Sequence, residues 1–381
     1  MRRLVAVCVL AAALAASPAR ADITIGALLS LTGPGAGLGI PEKNTIELLP
    51  KTIAGQAVRW VVLDDASDTT ASVRAAHKMV DEEHVDAVLG PSTTPNSVAV
   101  LDVFGPASTP FISLSGSSNM IVPPEGNRRW AFKMLPSEAV ATSQMVADMT
   151  KRGVKTLANI GFANALGDGY ISAMGAEAEK AGIKTVAEVR YNPNDTSVAP
   201  QVLRVMGAQP DAVFVAASAT PATTPVIELR NRGYKGLIYT VQGIAGPDAI
   251  RVGGKALDGV LFSAVPVLVA EQVAEGSPAK KPAAAFVAAF EGKYGAGSRS
   301  LFGATMWDGF FLIDAAAPAA LKAAQPGTEA FRTALRDAME RVVGLAGSQG
   351  VNSMTPADHS GTDPNSQVMV EIRDGAYRLV P

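Results

Sequence analysis

Cysteine is almost absent from this chain: Cys8 is the one thiol among 381 residues, and only three histidines accompany it. Thiol catalysis, structural disulfides and histidine-built metal centres are starved of the residues they need. Charge is thin as well, at 18% of residues, and the lysines and arginines are scattered rather than clustered. Neither nucleic acid nor an anionic membrane surface is therefore an expected partner. Catalytic signatures are also missing, since no His-Glu-x-x-His, Gly-x-Ser-x-Gly or Walker pattern occurs. The acid pair Asp64-Asp65 stands at a strand end, where capping and loop order are its expected work. An enzyme is not expected, and no cofactor or metal is implied.

What is present begins with an export signal. Arg2 and Arg3 precede an apolar run from Leu4 to Ala16, and Ser17-Pro18-Ala19-Arg20-Ala21 places small residues at the two positions a signal peptidase reads. Residues 1–21 read as a signal peptide cleaved after Ala21. The run is too short for a membrane anchor, which needs about 20 apolar residues. Cys8 lies within the segment to be removed, so the mature chain must hold itself together by core burial, for which a 48% hydrophobic composition is ample. Losing three arginines takes the formal charge from −2 to about −5.

From Asp22 onward, short β-rich runs alternate with helical patterns. Ile23 to Leu29 and Val58 to Leu63 read as strands of a buried parallel sheet. Thr69 to Glu83 sets Val73, Ala76 and Val80 on one helical face, with Asp68 or Thr69 able to cap the first turn. Asp86 to Gly90 and Pro110 to Ser113 continue the strands, with a helix from about Asn96 between them. After Met134 the pattern restarts: a helix opens at Ser137 and ends before Gly153, and Thr156 to Gly161, Ile183 to Val189, Ala212 to Ala217 and Leu237 to Thr240 are strands of a second α/β unit. Gly153, Gly182 and Gly233 stand where helix C-caps are wanted. Ala270 to Pro282 reads as a surface excursion. Periodicity alone assigns the late helices, Pro282 to Tyr294, Leu301 to Ala324 and Thr328 to Val343, and the final strands, Val368 to Ile372 and Tyr377 to Val380, to neither lobe.

Four segments carry a family resemblance. They are Ile25-Gly26-Ala27-Leu28-Leu29-Ser30-Leu31-Thr32-Gly33-Pro34, Leu63-Asp64-Asp65-Ala66-Ser67-Asp68, Gly90-Pro91-Ser92-Thr93-Thr94 and Met354-Thr355-Pro356-Ala357-Asp358-His359-Ser360-Gly361. In order and spacing they resemble the leucine/isoleucine/valine-binding branch of the type I periplasmic binding proteins, receptors of ABC importers. The resemblance implies two Rossmann-like lobes with parallel central sheets, joined by three hinge crossovers and closing on ligand. It implies lobe I over 22–136 plus 266–365, and lobe II over 137–265 plus 366–381. A periplasmic, monomeric receptor working with permease and ATPase subunits is expected. A periplasmic sensor partnering a chemoreceptor or kinase shares the same fold and stays open as an alternative.

Ligands of open α/β sheets sit beyond the carboxyl ends of the strands. Two loops fit, Pro91-Ser92-Thr93-Thr94 and Leu114-Ser115-Gly116-Ser117-Ser118, whose hydroxyls and close backbone suit a carboxylate; helix capping is the competing role. With the resemblance, Ser92, Thr93, Ser115, Gly116 and Ser117 become candidate ligand contacts. In the second lobe, Gln242 stands where the family places an acid that binds the ligand's ammonium. Leu38, Leu166 and Ala219 stand where amino-acid binders of the family often place a tyrosine or another large residue. A small carboxylate with an aromatic or branched apolar body is the expected ligand, with a branched-chain amino acid or amide as the alternative. His77 and His84 are expected at the surface or in packing, and Trp307 in interlobe packing. Asp358 and His359 are left between ordering a hinge and reaching the cleft.

Overall fold

A computed structural model describes residues 22–380; the export signal expected over residues 1–21, Cys8 included, lies outside the described residues. Asp22 is followed at once by β1 (Ile23–Leu29), whose seven residues are all buried. A strand apolar on both faces needs cover on both, and it receives it as an inner strand of a parallel sheet. The first sheet runs β2 (Thr52–Ile53), β3 (Gln56–Asp64), β1, β4 (Ala87–Leu89), β5 (Phe111–Ser113), β6 (Ala131–Lys133). Only β2 is antiparallel, through a two-residue turn at Ala54 and Gly55 with φ of +48° and +80°, the mirror-image geometry that matches strand twist.

The second sheet contains β7 (Thr156–Phe162), β8 (Lys184–Tyr191), β9 (Ala212–Ala216), β10 (Leu237–Thr240) and β11 (Val260–Ala264). A short hairpin, β12 (Leu345–Gly347) with β13 (Gly350–Asn352), precedes the last two strands, β14 (Val368–Arg373) and β15 (Ala376–Leu379). The order is β15-β14-β11-β10-β9-β7-β8, with β14 and β15 antiparallel and the rest parallel. The chain passes from one sheet to the other after Lys133, leaves the second after Ala264, and returns to it at Val368. The helices Leu301–Ala323 and Glu329–Met339 share a core with the first sheet, where Phe310, Ile313 and Phe331 meet Ile25, Leu89 and Ile112. No helix among the described residues is long and apolar enough to cross a membrane.

Local chemistry explains the helix ends. Asp68 accepts from Ala71 N–H at 2.8 Å to start the helix Thr69–Asp81, and Ser137 caps the helix Glu138–Lys151. Gly153 and Gly182 close their helices in the left-handed region. The helix Thr69–Asp81 buries Ser72, Ala76 and Met79, with Val73 and Val80 flanking them. Its inner line is thus rotated from the expected one. Gly26 of β1 is the cause: a Cβ there would stand 2.8 Å from Met79 Sδ, so the missing side chain is the hollow that Met79 fills.

Three features depart from the sequence reading. The segment Ala270 to Pro282 is not wholly a surface excursion, because Ala270, Val273 and Ala279 are buried while the residues between them are largely exposed. The helix Ala36–Ile46 had no visible signal, since Gly37, Gly39 and Pro41 are poor helix formers. Strand β11 and the β12–β13 hairpin were likewise unread.

Candidate functional site

Strand order reverses at β1/β4 in the first sheet and at β7/β9 in the second. At such switch points the loops leaving the carboxyl ends diverge and open a crevice. The two crevices face each other and enclose a cavity of about 260 Å³. From the first sheet it is lined by Leu38, by Ser92 and Thr93 after β4, and by Leu114, Ser115 and Gly116 after β5. From the second come Asn164, Leu166 and Tyr170 after β7, Ala219 after β9, and Val241 and Gln242 after β10; Phe302 closes one wall. Among the described residues, no Asp, Glu, Lys, Arg or His side chain lines this cavity.

The structure brings together eight of the nine candidates. Leu38, Ser92, Thr93, Ser115, Gly116, Leu166, Ala219 and Gln242 all line the cavity. Ser117 does not. Its hydroxyl donates to Glu138 Oε1 at 2.6 Å, and Ser118 N–H donates to the same carboxylate at 2.9 Å. The loop is held from behind by the buried Lys133, whose Nζ donates to Gly116 O at 2.7 Å and to Pro136 O at 3.2 Å. Burial pushes the Lys133 ammonium down to about 8, opposed by Glu138 and Asp358. For Glu138 burial is outweighed by Lys133 and the Ser117 and Ser118 donors, which hold its carboxyl below the usual range. Ser117 is thus a strut of the loop rather than part of its inner face.

Ser115 ends a row of hydroxyls: Ser97 Oγ lies 2.8 Å from Ser113 Oγ, which lies 2.9 Å from Ser115 Oγ. Ser97 Oγ also donates to Pro91 O at 3.3 Å, and Ser115 N–H donates to Ser113 Oγ at 3.2 Å, so the row is tied to the backbone at both ends and its outermost hydroxyl belongs to a residue of the cavity lining. Gln242 carries an unspent donor. Its Oε1 accepts from Val265 N–H at 3.2 Å, which fixes the amide orientation, and its Nε2 is buried without a partner. Ser92 Oγ accepts from Ser30 N–H at 3.0 Å and meets Glu42 Oε2 on its other side.

Ala219 takes φ +54° although it carries a Cβ, and its N–H donates to Gly243 O at 2.8 Å, tying the β9 loop to the β10 loop. Backbone held in this region marks a position fixed by its surroundings. A Cβ on Gly37 of the first lobe would stand 4.0 Å from Ala219 Cβ, so two small residues face each other across the cleft.

Several residues escaped sequence reasoning. Tyr170 lies one turn beyond Leu166 on the same helical face, and its hydroxyl would stand 3.4 Å from a Cβ on Gly116; the four-residue spacing was the available signal. Phe302 follows the cap Ser300, and Glu42 carried no signal at all. His359 and Asp358 are settled by their partners. His359 Nδ1–H donates to Ala131 O at 2.8 Å while its ring stacks on Phe132 at 4.2 Å, and Asp358 accepts from Ser360 and Gly361 N–H. Both order the last crossover and neither lines the cavity. Trp307 packs edge-on against Phe286 and Phe311. His77 and His84 are exposed. Asp64 accepts from Leu31 and Ala66 N–H as a loop cap, whereas Asp65 is buried under Ser30.

A sequence profile described as periplasmic binding protein matches residues 22–376. The chain is similar to Leu/Ile/Val-binding protein homolog 3 of Brucella melitensis, with 26% identity over 265 residues spanning 65% of this chain and 68% of that protein. Among solved structures it is similar to an extracellular ligand-binding receptor from Rhodopseudomonas palustris HaA2, with 40% identity, a TM-score of 0.91, and coverage of 95% of this chain and 100% of that one. It is also similar to an ABC transporter solute-binding protein from R. palustris in complex with 4-hydroxybenzoate, at 20% identity and a TM-score of 0.76, covering 95% and 96% of the two chains. At that identity the likeness is one of fold.

Proposed function

The chain belongs to the periplasmic binding protein family, in its type I branch with the Leu/Ile/Val-binding proteins, and from that premise we propose that it is the solute receptor of an ABC importer for a small carboxylate with an aromatic or branched apolar body. The observation that carries this reading is the uncharged cavity with an unspent donor on a residue that lines it. Gln242 Nε2 is a buried donor lacking an acceptor, and Ser115 brings a hydroxyl that can rotate towards a ligand. A carboxylate supplies the acceptors these groups can use. An amino acid brings an ammonium group as well, and a buried ammonium without a carboxylate partner costs several kcal/mol, about a thousandfold or more in affinity.

The walls favour an apolar body. Leu38, Phe162, Leu166, Tyr170 and Phe302 surround the donors, and about 260 Å³ exceeds the roughly 150 Å³ that holds a benzene ring in an apolar protein cavity. The lobes of this reading are 22–136 plus 266–365 and 137–265 plus 366–381, closing about the three crossovers onto the ligand. Periplasmic capture and delivery to permease and ATPase subunits follow from the same family role.

A thermal-shift panel tests the reading, because a ligand that binds only the folded state adds about 2.7 kcal/mol of stability at one hundred times its Kd. Benzoate, 4-hydroxybenzoate and 4-methylpentanoate are expected to raise Tm, and leucine and benzamide to leave it unchanged. A shift with leucine and none with any of the carboxylates overturns the reading.

A further inference from the structure

Behind Ser92 lies a group of buried polar atoms that the cavity itself does not use. Glu42, on the helix Ala36–Ile46, has no exposed surface; one carboxyl oxygen meets Ser92 Oγ, and the other, Oε1, has no partner. Asp65 is equally buried, accepts from Ser30 Oγ at 2.7 Å and Ser67 N–H at 2.9 Å, and leaves Oδ2 unpartnered. Of the elements packed around Glu42, β1 and the helix Thr94–Ala99 carry no titratable residue. The buried acid of the helix Leu301–Ala323, Asp308, is held by Ser348 and Gln349 N–H at 2.8 and 3.0 Å. Asp65 is the charged group acting on Glu42, and Asp64 acts on Asp65 in turn. A buried carboxyl group with a second acid nearby and no cation against it takes up a proton rather than remain ionised. Burial, against the Ser92 hydroxyl and with Asp65, pushes Glu42 up to about 8.

The proton has a consequence for Ser92, which owns one hydrogen and two lone pairs. Ser30 N–H occupies one lone pair. When Glu42 is ionised, Ser92 gives its hydrogen to the carboxylate, and a lone pair faces the cavity. When Glu42 is protonated, the acid donates into the second lone pair and the Ser92 hydrogen is free to point at a ligand. We propose that Glu42 is a positioning residue that sets the hydrogen-bond polarity of Ser92, so that an anionic ligand is captured by the form in which Glu42 carries a proton. This inference rests on the reading of the cavity as a carboxylate site. Carboxylate ligands stay ionised above about pH 6, so the ligand itself contributes no pH dependence there. The apparent Kd varies inversely with the competent fraction, and affinity falls about tenfold per pH unit once Glu42 ionises.

The test is isothermal titration calorimetry of the mature chain with benzoate and 4-methylpentanoate from pH 6 to pH 9.5, in buffers of different ionisation enthalpy, with leucine alongside. The expected result is constant affinity at the acid end, about tenfold weakening per pH unit above about pH 8, and uptake of up to one proton on binding in that range. Glu42→Gln, whose amide donates to Ser92 at every pH, is expected to abolish both the pH dependence and the proton uptake. The Lys133 ammonium, also near 8, holds Gly116 of the cavity loop, so pH dependence retained in Glu42→Gln assigns the effect to Lys133 and overturns the proposal, while the wild-type titration can overturn it even if that variant does not fold. Carboxylate affinity that is flat with pH and free of proton uptake overturns the role of Glu42 and leaves the receptor reading intact. Binding of leucine with neither carboxylate bound at any pH overturns the receptor reading and this inference with it.

Discussion

Gln242 reaches from the end of β10 to the crossover that follows β11, where its Oε1 accepts the Val265 N–H at 3.2 Å. A backbone donor demands an acceptor, so this contact decides which end of the amide turns inward. Its Nε2 is left buried and without a partner, on a residue that lines the cavity. In the proposed receptor, this one residue combines anchorage at a crossover with the choice of ligand charge.

Gln242→Glu is expected to invert that choice. The carboxylate keeps the Val265 bond and is isosteric, but it puts a negative charge into a cavity lined by no other charged side chain among the described residues. Like charges brought together in such a site cost several kcal/mol. Binding of benzoate should fall by about a hundredfold or more, and leucine should begin to bind as its ammonium finds a partner. Calorimetry of both ligands on both proteins checks this, and unchanged carboxylate affinity counts against the placement of Gln242.

Two serines two residues apart should behave differently. Ser115→Ala removes a hydroxyl from a residue of the cavity lining while leaving the Ser97–Ser113 pair in place, and is expected to weaken carboxylate binding by about tenfold with little change in Tm. Ser117→Ala strips a hydrogen bond from the buried Glu138 and should cost about 1–3 kcal/mol of stability instead. Denaturant unfolding and ligand titration of the two variants separate the roles.

That contrast also marks how far the sequence could be read. Alternation of β-rich runs with capped helices located most strands, because inner strands such as Ile23–Leu29 are apolar on both faces and leave a strong local signal. The Gly-Pro-Ser loop after β4 and the serine loop after β5 were legible as ligand loops because turn chemistry is local. What a given serine faces is not local. Ser117 is taken by Glu138, 21 residues away, and Ser92 by Glu42, 50 residues away. The helix that carries Glu42 was hidden by its glycines and Pro41, since packing against the long helix Leu301–Ala323 overrides their poor propensity.

Closure itself can be obstructed. Gly37 and Ala219 belong to opposite lobes, and a Cβ on Gly37 stands at ordinary contact distance, 4.0 Å, from Ala219 Cβ. Gly37→Val adds methyl groups beyond that Cβ and pushes into Ala219. Overpacking of this kind costs about 1–3 kcal/mol, which should appear as about tenfold weaker binding. The ligand-free Tm should change little, because valine is no worse than glycine in a helix. Unchanged affinity in this variant counts against closure through this contact.

Ligand-free stability should carry the mark of Glu42 as well. Its carboxyl is raised from 4.5 to about 8 by burial, against the Ser92 hydroxyl and with Asp65 adding. The unfolded chain ionises Glu42 near the lower value while the folded chain retains the proton. At acid pH, below the unfolded value, both states are protonated and the folded state loses nothing. As pH rises between the two values, ionisation favours the unfolded state, and stability falls by about 1.4 kcal/mol per pH unit until the folded protein also ionises. Glu42→Gln has no proton to lose. Its stability relative to wild type should therefore rise by several kcal/mol from pH 4.5 to pH 8 and level off above. Urea unfolding of both proteins at pH 5, 6, 7 and 8 measures the difference, and parallel pH profiles would show that Glu42 is already ionised in the folded protein at neutral pH.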